Sequence, residues 1–337
     1  MTTYKGINGF AVQSVATDPS PLDEGQVWYN NATYAFKLAA LTTVGTWAAG
    51  GNLNTPRMYL AGAGTQTAGL AFGGSPSGSA TPQVSSSESY NGTSWTNTPS
   101  LNTARSVLAG CGIQTAALAF GGTVFPDPPN GVVASSELFN GTSWTSTPSL
   151  NTARQALSGA GISTSALAIG GEGAGGPTNA VEEYDGSSWT AGGNLNTTRR
   201  GSAAAGSSNS AALAFGGIDN TPAPNTLTTA TESYNGTSWT SVNSMNTARR
   251  SLGGAGIQTL AVGFGGQAPT YSSATELWNG TSWTTNPNSM ATARGYLGSC
   301  GTQAAALAFG GEGPPVSAAT EEFTGPGAPT TKTITTS

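Results

Sequence analysis

One repeat runs through most of this chain. Trp47, Trp95, Trp144, Trp189, Trp239 and Trp283 are separated by 48, 49, 45, 50 and 44 residues. Gly-Gly pairs beginning at Gly73, Gly121, Gly170, Gly216, Gly265 and Gly310 keep nearly the same step, making six copies. A period of this length describes supersecondary units that bury their apolar surface only by stacking on their neighbours. Each copy reads Trp, then "NTAR" or a near variant, a strand of small residues and a strand such as "AALAFGG". A loop of variable length, a strand carrying Glu-x-aromatic and an Asn-Gly turn then lead to the next Trp.

Within one copy the spacing predicts four strands. "RSVLAGCGI" (105–113) and "AALAF" (116–120) are joined by the short "QT" turn. "SSELF" (135–139) and "SWTSTP" (143–148) are joined by Asn140-Gly141, a pair expected to form a type I′ hairpin with φ > 0 at both residues. With 49 Gly, 19 Pro and only 8% charged residues, the composition suits an all-β protein full of tight turns. Such sheets packed about an axis make a β-propeller. The sixth copy ends in "EEFTGPG" (321–327) without a Trp, whereas Trp47 stands before the first copy. The fold class expected is therefore all-β, a six-bladed propeller closed by the Trp47 strand pairing in the last blade, which hides sheet edges.

What the chain lacks restricts its chemistry. It has no histidine, which removes Ser-His and Cys-His nucleophile pairs and the ordinary zinc, copper and non-haem iron sites. Glycine runs such as "AGAGTQTAG" (61–69) read as strands and turns, and there is no P-loop. No catalytic residue, cofactor or metal site is expected. A net charge of −5 with no basic run argues against nucleic acid as a partner. No apolar stretch approaches a membrane span, and "MTTYKGINGF" lacks a secretory signal, so neither membrane insertion nor secretion is expected. That absence and the hairpin geometry make the "NGT" tripeptides at Asn91, Asn140, Asn235 and Asn279 turns rather than glycosylation sites. Cys111 and Cys300 occupy a repeat position that is Ala63, Ala160, Ala205 and Ala255 elsewhere, and are expected to be small core fillers too far apart to bond.

The hydrophobic strand ending in Gly-Gly, followed by Tyr and Trp at set distances, as in "LAFGG…SESYNGTSW" (70–95), resembles the kelch repeat over residues 45–323. That resemblance implies the propeller and leaves function open. Copper oxidases with kelch propellers need histidines that this chain lacks. Before the repeats, "DEGQVWYNNATYAFKL" (23–38) reads as a hairpin with strands "QVWY" and "YAFKL". It resembles a hairpin near the attachment ends of bacteriophage tail-fibre and other virion proteins. The Ser/Thr-rich ending "GAPTTKTITTS" (327–337) fits the same class. The expected organisation is a 1–44 attachment segment, a 45–323 propeller and a 324–337 tail. The resemblance implies a non-enzymatic virion protein, assembled in the host cytoplasm, oligomeric in the particle and bound to other virion proteins through residues 1–44. Two roles stay open: a tail-fibre or receptor-binding module contacting a host surface glycan or protein, and a head-decoration, neck or fibre-spacer protein.

Strand direction sorts the connections onto two faces. One face is expected to carry "NTAR" and the variable loops 75–84, 123–133, 172–181, 218–229, 267–274 and 312–319, with the termini on the other. Arg57, Arg105, Arg154, Arg199, Arg249 and Arg294 recur at the start of the innermost strand, and Glu88, Glu137, Glu182, Glu232, Glu276 and Glu321 recur in equal number. Matched recurrence predicts one Arg-carboxylate pair per copy, with an anion-binding ring as the alternative. Departures from the repeat are the better ligand candidates: Phe125, Asp127, Glu172, Arg200, Asp219, Arg250, Tyr271 and Glu312. "YDGSSW" (184–189) resembles the Asp-box of six-bladed sialidases but lacks the residue between Asp and Gly, so a glycosidase is a minor alternative that would require paired perturbed carboxylates.

Overall fold

A computed structural model describes residues 12–19, 26–41, 44–77, 82–125, 131–219, 226–327 and 329–334. Every regular element among them is a strand or bridge, and the chain divides into two compact units.

The smaller unit comprises Met1–Gly45 and Thr324–Ser337. The expected hairpin is present as Val27–Asn30 paired antiparallel with Ala35–Leu41. Gln13–Val15 adds in parallel to the first of these strands, and Pro329–Thr333 adds antiparallel to the second. The C-terminal segment is thus a strand of the N-terminal sheet rather than a separate tail. Three residues of this hairpin converge on one carboxylate. Asp18 accepts hydrogen bonds from Trp28 Nε1 (3.0 Å) and Asn30 Nδ2 (2.7 Å), and pairs with Lys37 Nζ at 3.1 Å. The bonds from Asn30, Trp28 and Lys37 hold its carboxyl below the ordinary value.

Among its described residues the larger unit, Thr46–Phe323, contains six four-stranded sheets, an architecture consistent with a propeller. The first sheet has the order Ala61–Thr65, Ala68–Phe72, Ser87–Tyr90, Trp95–Thr98. The next four follow the same plan, with first strands Ala109–Ile113, Ser158–Ile162, Ala203–Ser208 and Gly253–Ile257. The sixth has the order Gly298–Gly301, Ala305–Phe309, Thr320–Thr324 and then Thr46–Ala49, the strand that carries Trp47. First strands of successive sheets lie side by side, and Gly298–Gly301 lies beside Ala61–Thr65.

Packing explains the residue pattern. The second strand is buried on both faces; Leu70, Ala71 and Phe72 are all 0% exposed. First strands approach so closely that a Cβ on Gly159 would lie 2.7 Å from the Gly110 carbonyl oxygen of the preceding sheet. Five of the six fourth-strand tryptophans rest on second-strand phenylalanines of the preceding sheet, while Trp239 packs in the cluster of Ile169. Trp144 lies on Phe72, Trp189 on Phe120 and Trp95 on Phe309, each with centroids 5.0 Å apart. Trp47 likewise sits 5.0 Å from Phe264 of the fifth sheet. Cys111 and Cys300 are free and buried, and burial pushes both thiols up to about 12.

The Asn-Gly turns differ from the type I′ expectation. Gly92, Gly141, Gly186, Gly236 and Gly280 have φ of 88–93°, but none of the preceding residues is among those with positive φ. Instead Asn91 Oδ1 accepts from the backbone of Thr93 (2.9 Å) and Ser94 (2.8 Å), closing a longer loop through its side chain. Asp185 makes the same contacts with Ser187 (2.8 Å) and Ser188 (2.7 Å), so aspartate substitutes for asparagine in the third copy.

Candidate functional site

The recurrent charges face into the sheets. All six arginines are 0% exposed. Arg57 pairs with Glu88, Arg154 with Glu182 and Arg249 with Glu276 at 2.9 Å, and Arg294 with Glu321 at 3.1 Å. Arg105–Glu137 and Arg199–Glu232 form the same contact. Arg57 Nη1 also donates to the carbonyls of Gly73 (3.0 Å) and Ser86 (2.7 Å), while Glu88 Oε2 accepts from the Asn54 amide at 2.7 Å. Burial pulls the proton affinity of Arg57, Arg154, Arg199, Arg249 and Arg294 down, and the paired glutamate opposes it. These guanidinium groups tie "NTAR" to the Gly-Gly corner and the third strand. They offer no exposed ring for an anion.

The next residues build a different feature. In each sheet the residue after the arginine pairs with the start of the variable loop: Met58 with Ser75, Ser106 with Thr123, Gln155 with Glu172, Arg200 with Ile218, Arg250 with Gln267, and Gly295 with Glu312. "NTAR" and the variable loops therefore meet on one side, as strand direction requires. Two positions after the arginine, Tyr59, Val107, Ala156, Gly201, Ser251 and Tyr296 all have left-handed backbone, with φ of 51–61°. That turn aims each amide at the preceding sheet. Val107 N donates to Tyr59 O (2.9 Å), Ala156 N to Val107 O (3.0 Å) and Gly201 N to Ala156 O (2.8 Å). Ser251 N donates to Gly201 O (2.7 Å), Tyr296 N to Ser251 O (2.9 Å), and Tyr59 N to Tyr296 O (2.9 Å), which returns to the starting residue. Five of the six carry a side chain in a conformation that costs about 1–3 kcal/mol each, and Val107 is β-branched.

These half-buried residues surround a cavity of about 320 Å³, whose wall also includes Gln155, Glu172, Arg200, Ile218 and Arg250. Tyr59 and Tyr296 hold their rings 4.5 Å apart at 51°. Tyr296 Oη donates to Gln267 Oε1 (3.0 Å), which also accepts from Arg250 Nε (2.8 Å). Arg200 Nη1 pairs with Glu172 Oε2 at 2.8 Å. Tyr271 Oη donates to Glu312, beside Tyr59 and Tyr296. Burial, with the neighbouring Tyr296, raises the Tyr59 phenol above its ordinary range, and burial with Glu312 does the same for Tyr271. Both remain neutral hydrogen-bonding groups near neutral pH.

Of the residues singled out by departure from the repeat, Glu172, Arg200 and Arg250 line the cavity. Tyr271 and Glu312 stand just behind its tyrosines, and Asp219 pairs through its backbone with Arg199. Phe125 is 69% exposed and lies outside the cavity wall. Asp127 falls outside the described residues. Sequence reasoning missed the six left-handed residues, although they carry the same signal: Tyr, Val, Ala, Gly, Ser and Tyr occupy one register of the repeat. Among the described residues, no group of three or more His, Cys, Asp or Glu is placed to hold a metal. Neither family models nor curated proteins match the chain.

Proposed function

We propose that this chain is a non-enzymatic bacteriophage virion protein. Its larger unit is a closed six-bladed kelch-type propeller that contacts a host surface glycan or protein through the variable-loop face. The observation that carries the reading is the concentration of non-repeating residues on that one side, around the cavity bounded by Tyr59 and Tyr296, in a molecule that otherwise repeats itself. Divergence confined to one surface, on a frame kept constant elsewhere, is how a rigid scaffold presents a binding site. Closure is supported by the head-to-tail amide bonds that return to Tyr59, and by the Trp47 strand at the edge of the sixth sheet. Virion assembly through residues 1–44 rests on the Trp28-Tyr29-Asn30 and Phe36-Lys37 hairpin.

The test is saturable binding of the purified full chain to host cells, with competition against particle adsorption. Replacing residues 123–133 by a Gly/Ser linker measures the share of the Phe125 loop. Absence of binding, together with an image of the intact particle in which neighbouring proteins cover the loop face, would replace this reading with a spacer role.

A further inference from the structure

The cavity at the left-handed ring is built asymmetrically. Its volume of about 320 Å³ falls in the range of small-molecule sites, roughly 300–1,000 Å³. The Tyr59–Tyr296 pair, contributed by the sixth and first sheets, makes one side an aromatic surface. Ala156 and Gly201, contributed by the third and fourth, leave the far side open. The two cavity arginines are also unlike. Arg200 is neutralised by Glu172 at 2.8 Å. Arg250 is held by one hydrogen bond from Nε to Gln267, and among the described residues no carboxylate lies within 4.0 Å of it. Gln267 is itself fixed by Tyr296, so the aromatic side and the uncompensated cation are set relative to one another.

We propose that this cavity binds a single carboxylate-bearing sugar residue, with its apolar ring face on Tyr59 and Tyr296 and its carboxylate on the Nη1 and Nη2 groups of Arg250. Its hydroxyls meet Gln155, Ser251 and the Glu172–Arg200 pair. The chemistry selects this class. An aromatic pair suits the C–H face of a pyranose. A guanidinium without a counter-charge suits a carboxylate, which it binds bidentately. An adjacent acid-base pair both accepts from and donates to hydroxyls. A neutral sugar leaves Arg250 without a role, and a simple carboxylate leaves the tyrosines without one. The ring's left-handed side chains fit the same account, since backbone strain is kept where a side chain must be aimed. The biological role of the site rests on the receptor-binding reading, whereas the ligand class rests on the cavity alone.

The experiment titrates the full chain with the methyl glycosides of D-glucuronic acid, D-galacturonic acid and N-acetylneuraminic acid, and with methyl glucoside and methyl galactoside, by calorimetry and saturation-transfer NMR. At least one acidic glycoside is expected to bind at least about 10-fold tighter than the neutral ones, a difference of about 1.4 kcal/mol. Arg250→Gln is expected to erase that preference, and Tyr59→Ala to weaken every glycoside by about 10-fold, each variant melting as a folded protein. Equal binding of acidic and neutral sugars, or no saturable binding of any acidic glycoside by the folded wild type, overturns the proposal. Host-cell binding of Arg250→Gln separates the two readings. If acidic sugars bind but that variant still adsorbs fully, the ligand site stands and the receptor role falls. If adsorption is lost while no acidic sugar binds the wild type, the receptor role stands and the ligand class falls.

Discussion

Arg249 and Arg250 are neighbours in the chain and opposites in use. Arg249 is 0% exposed, pairs with Glu276, and has a counterpart in each of the five other copies. Arg250 is half-buried beside the cavity, with a counterpart only in Arg200. The same contrast holds for the whole larger unit. Its sheets and outer corners repeat because each must present the same surface to its neighbour. Its inner mouth does not repeat, although six equivalent backbone turns build it. A residue that recurs in every copy here is a packing device, and a residue that breaks the pattern on the loop side is a candidate for contact with something else.

The sharpest way to break the comparison is to exchange the arginines' fates. Arg249→Met leaves Glu276 buried without its partner, and removal of one member of a buried pair costs roughly 3–5 kcal/mol. Arg250→Gln, which gives up one hydrogen bond to Gln267, is expected to cost only about 0.5–1.5 kcal/mol. Urea denaturation of the two variants side by side measures the gap; equal losses would erase the distinction between frame and mouth.

The sheet interfaces offer a finer test, because the six tryptophans are not equally satisfied. Trp283 Nε1 donates to Thr231 Oγ1 at 3.0 Å, Trp95 to Thr320 at 2.9 Å and Trp47 to Thr275 at 2.9 Å. Among the described residues, Trp144, Trp189 and Trp239 have no partner for that nitrogen. Thr231→Val is expected to cost about 1–3 kcal/mol by orphaning a buried donor. Val181→Thr, which supplies the equivalent hydroxyl opposite Trp239, is expected to gain up to about 1 kcal/mol in the same assay. No difference between these substitutions would mean that the indole nitrogens do not contribute to sheet pairing.

Substitution in the mouth is expected to act with the opposite sign. Val107→Gly releases a left-handed β-branched residue, worth about 1–2 kcal/mol, against about 0.5–1 kcal/mol of added backbone entropy in the unfolded chain. The net expectation is a gain of up to about 1 kcal/mol, read from the melting temperature. A loss would show that the side chain packs as part of the frame.

The smallest effect concerns pH. Hydrogen bonds from the Ser187 side chain and backbone, and from the Ser188 backbone, lower the Asp185 carboxyl to about 2. Its folded value is below the ordinary value of about 3.9, so its contribution is present above about pH 4 and is lost as pH falls through about 2. Asp185→Asn matches the other turns and does not titrate. Wild-type stability is therefore expected to fall relative to this variant across that window, as measured by denaturation at each pH.

Much of the frame was legible because its signals are long-range and redundant. The Trp missing after "EEFTGPG" and the spare Trp47 together pointed to the strand order of the sixth sheet. Equal numbers of Arg and Glu pointed to the buried pairs. The turn at Asn91 was misjudged because a side-chain acceptor competes with the two-residue hairpin, and Asn-Gly alone does not say which wins. The pairing of Pro329–Thr333 with Ala35–Leu41 was missed because a short Thr-rich strand carries no mark of a partner some 290 residues away. The irregular residues at this register were visible, but their left-handed backbone was not, for a physical reason. Val107 and Ala156 are residues that avoid that conformation, so only the surrounding sheets impose it.

The most direct test of the division between frame and mouth is to replace Tyr59, Val107, Ala156, Ser251 and Tyr296 together with glycine, the residue already present at Gly201, and to measure host-cell adsorption beside thermal unfolding. The expected product is a protein that still unfolds in one cooperative transition but no longer adsorbs. Adsorption equal to that of the unaltered chain would contradict it.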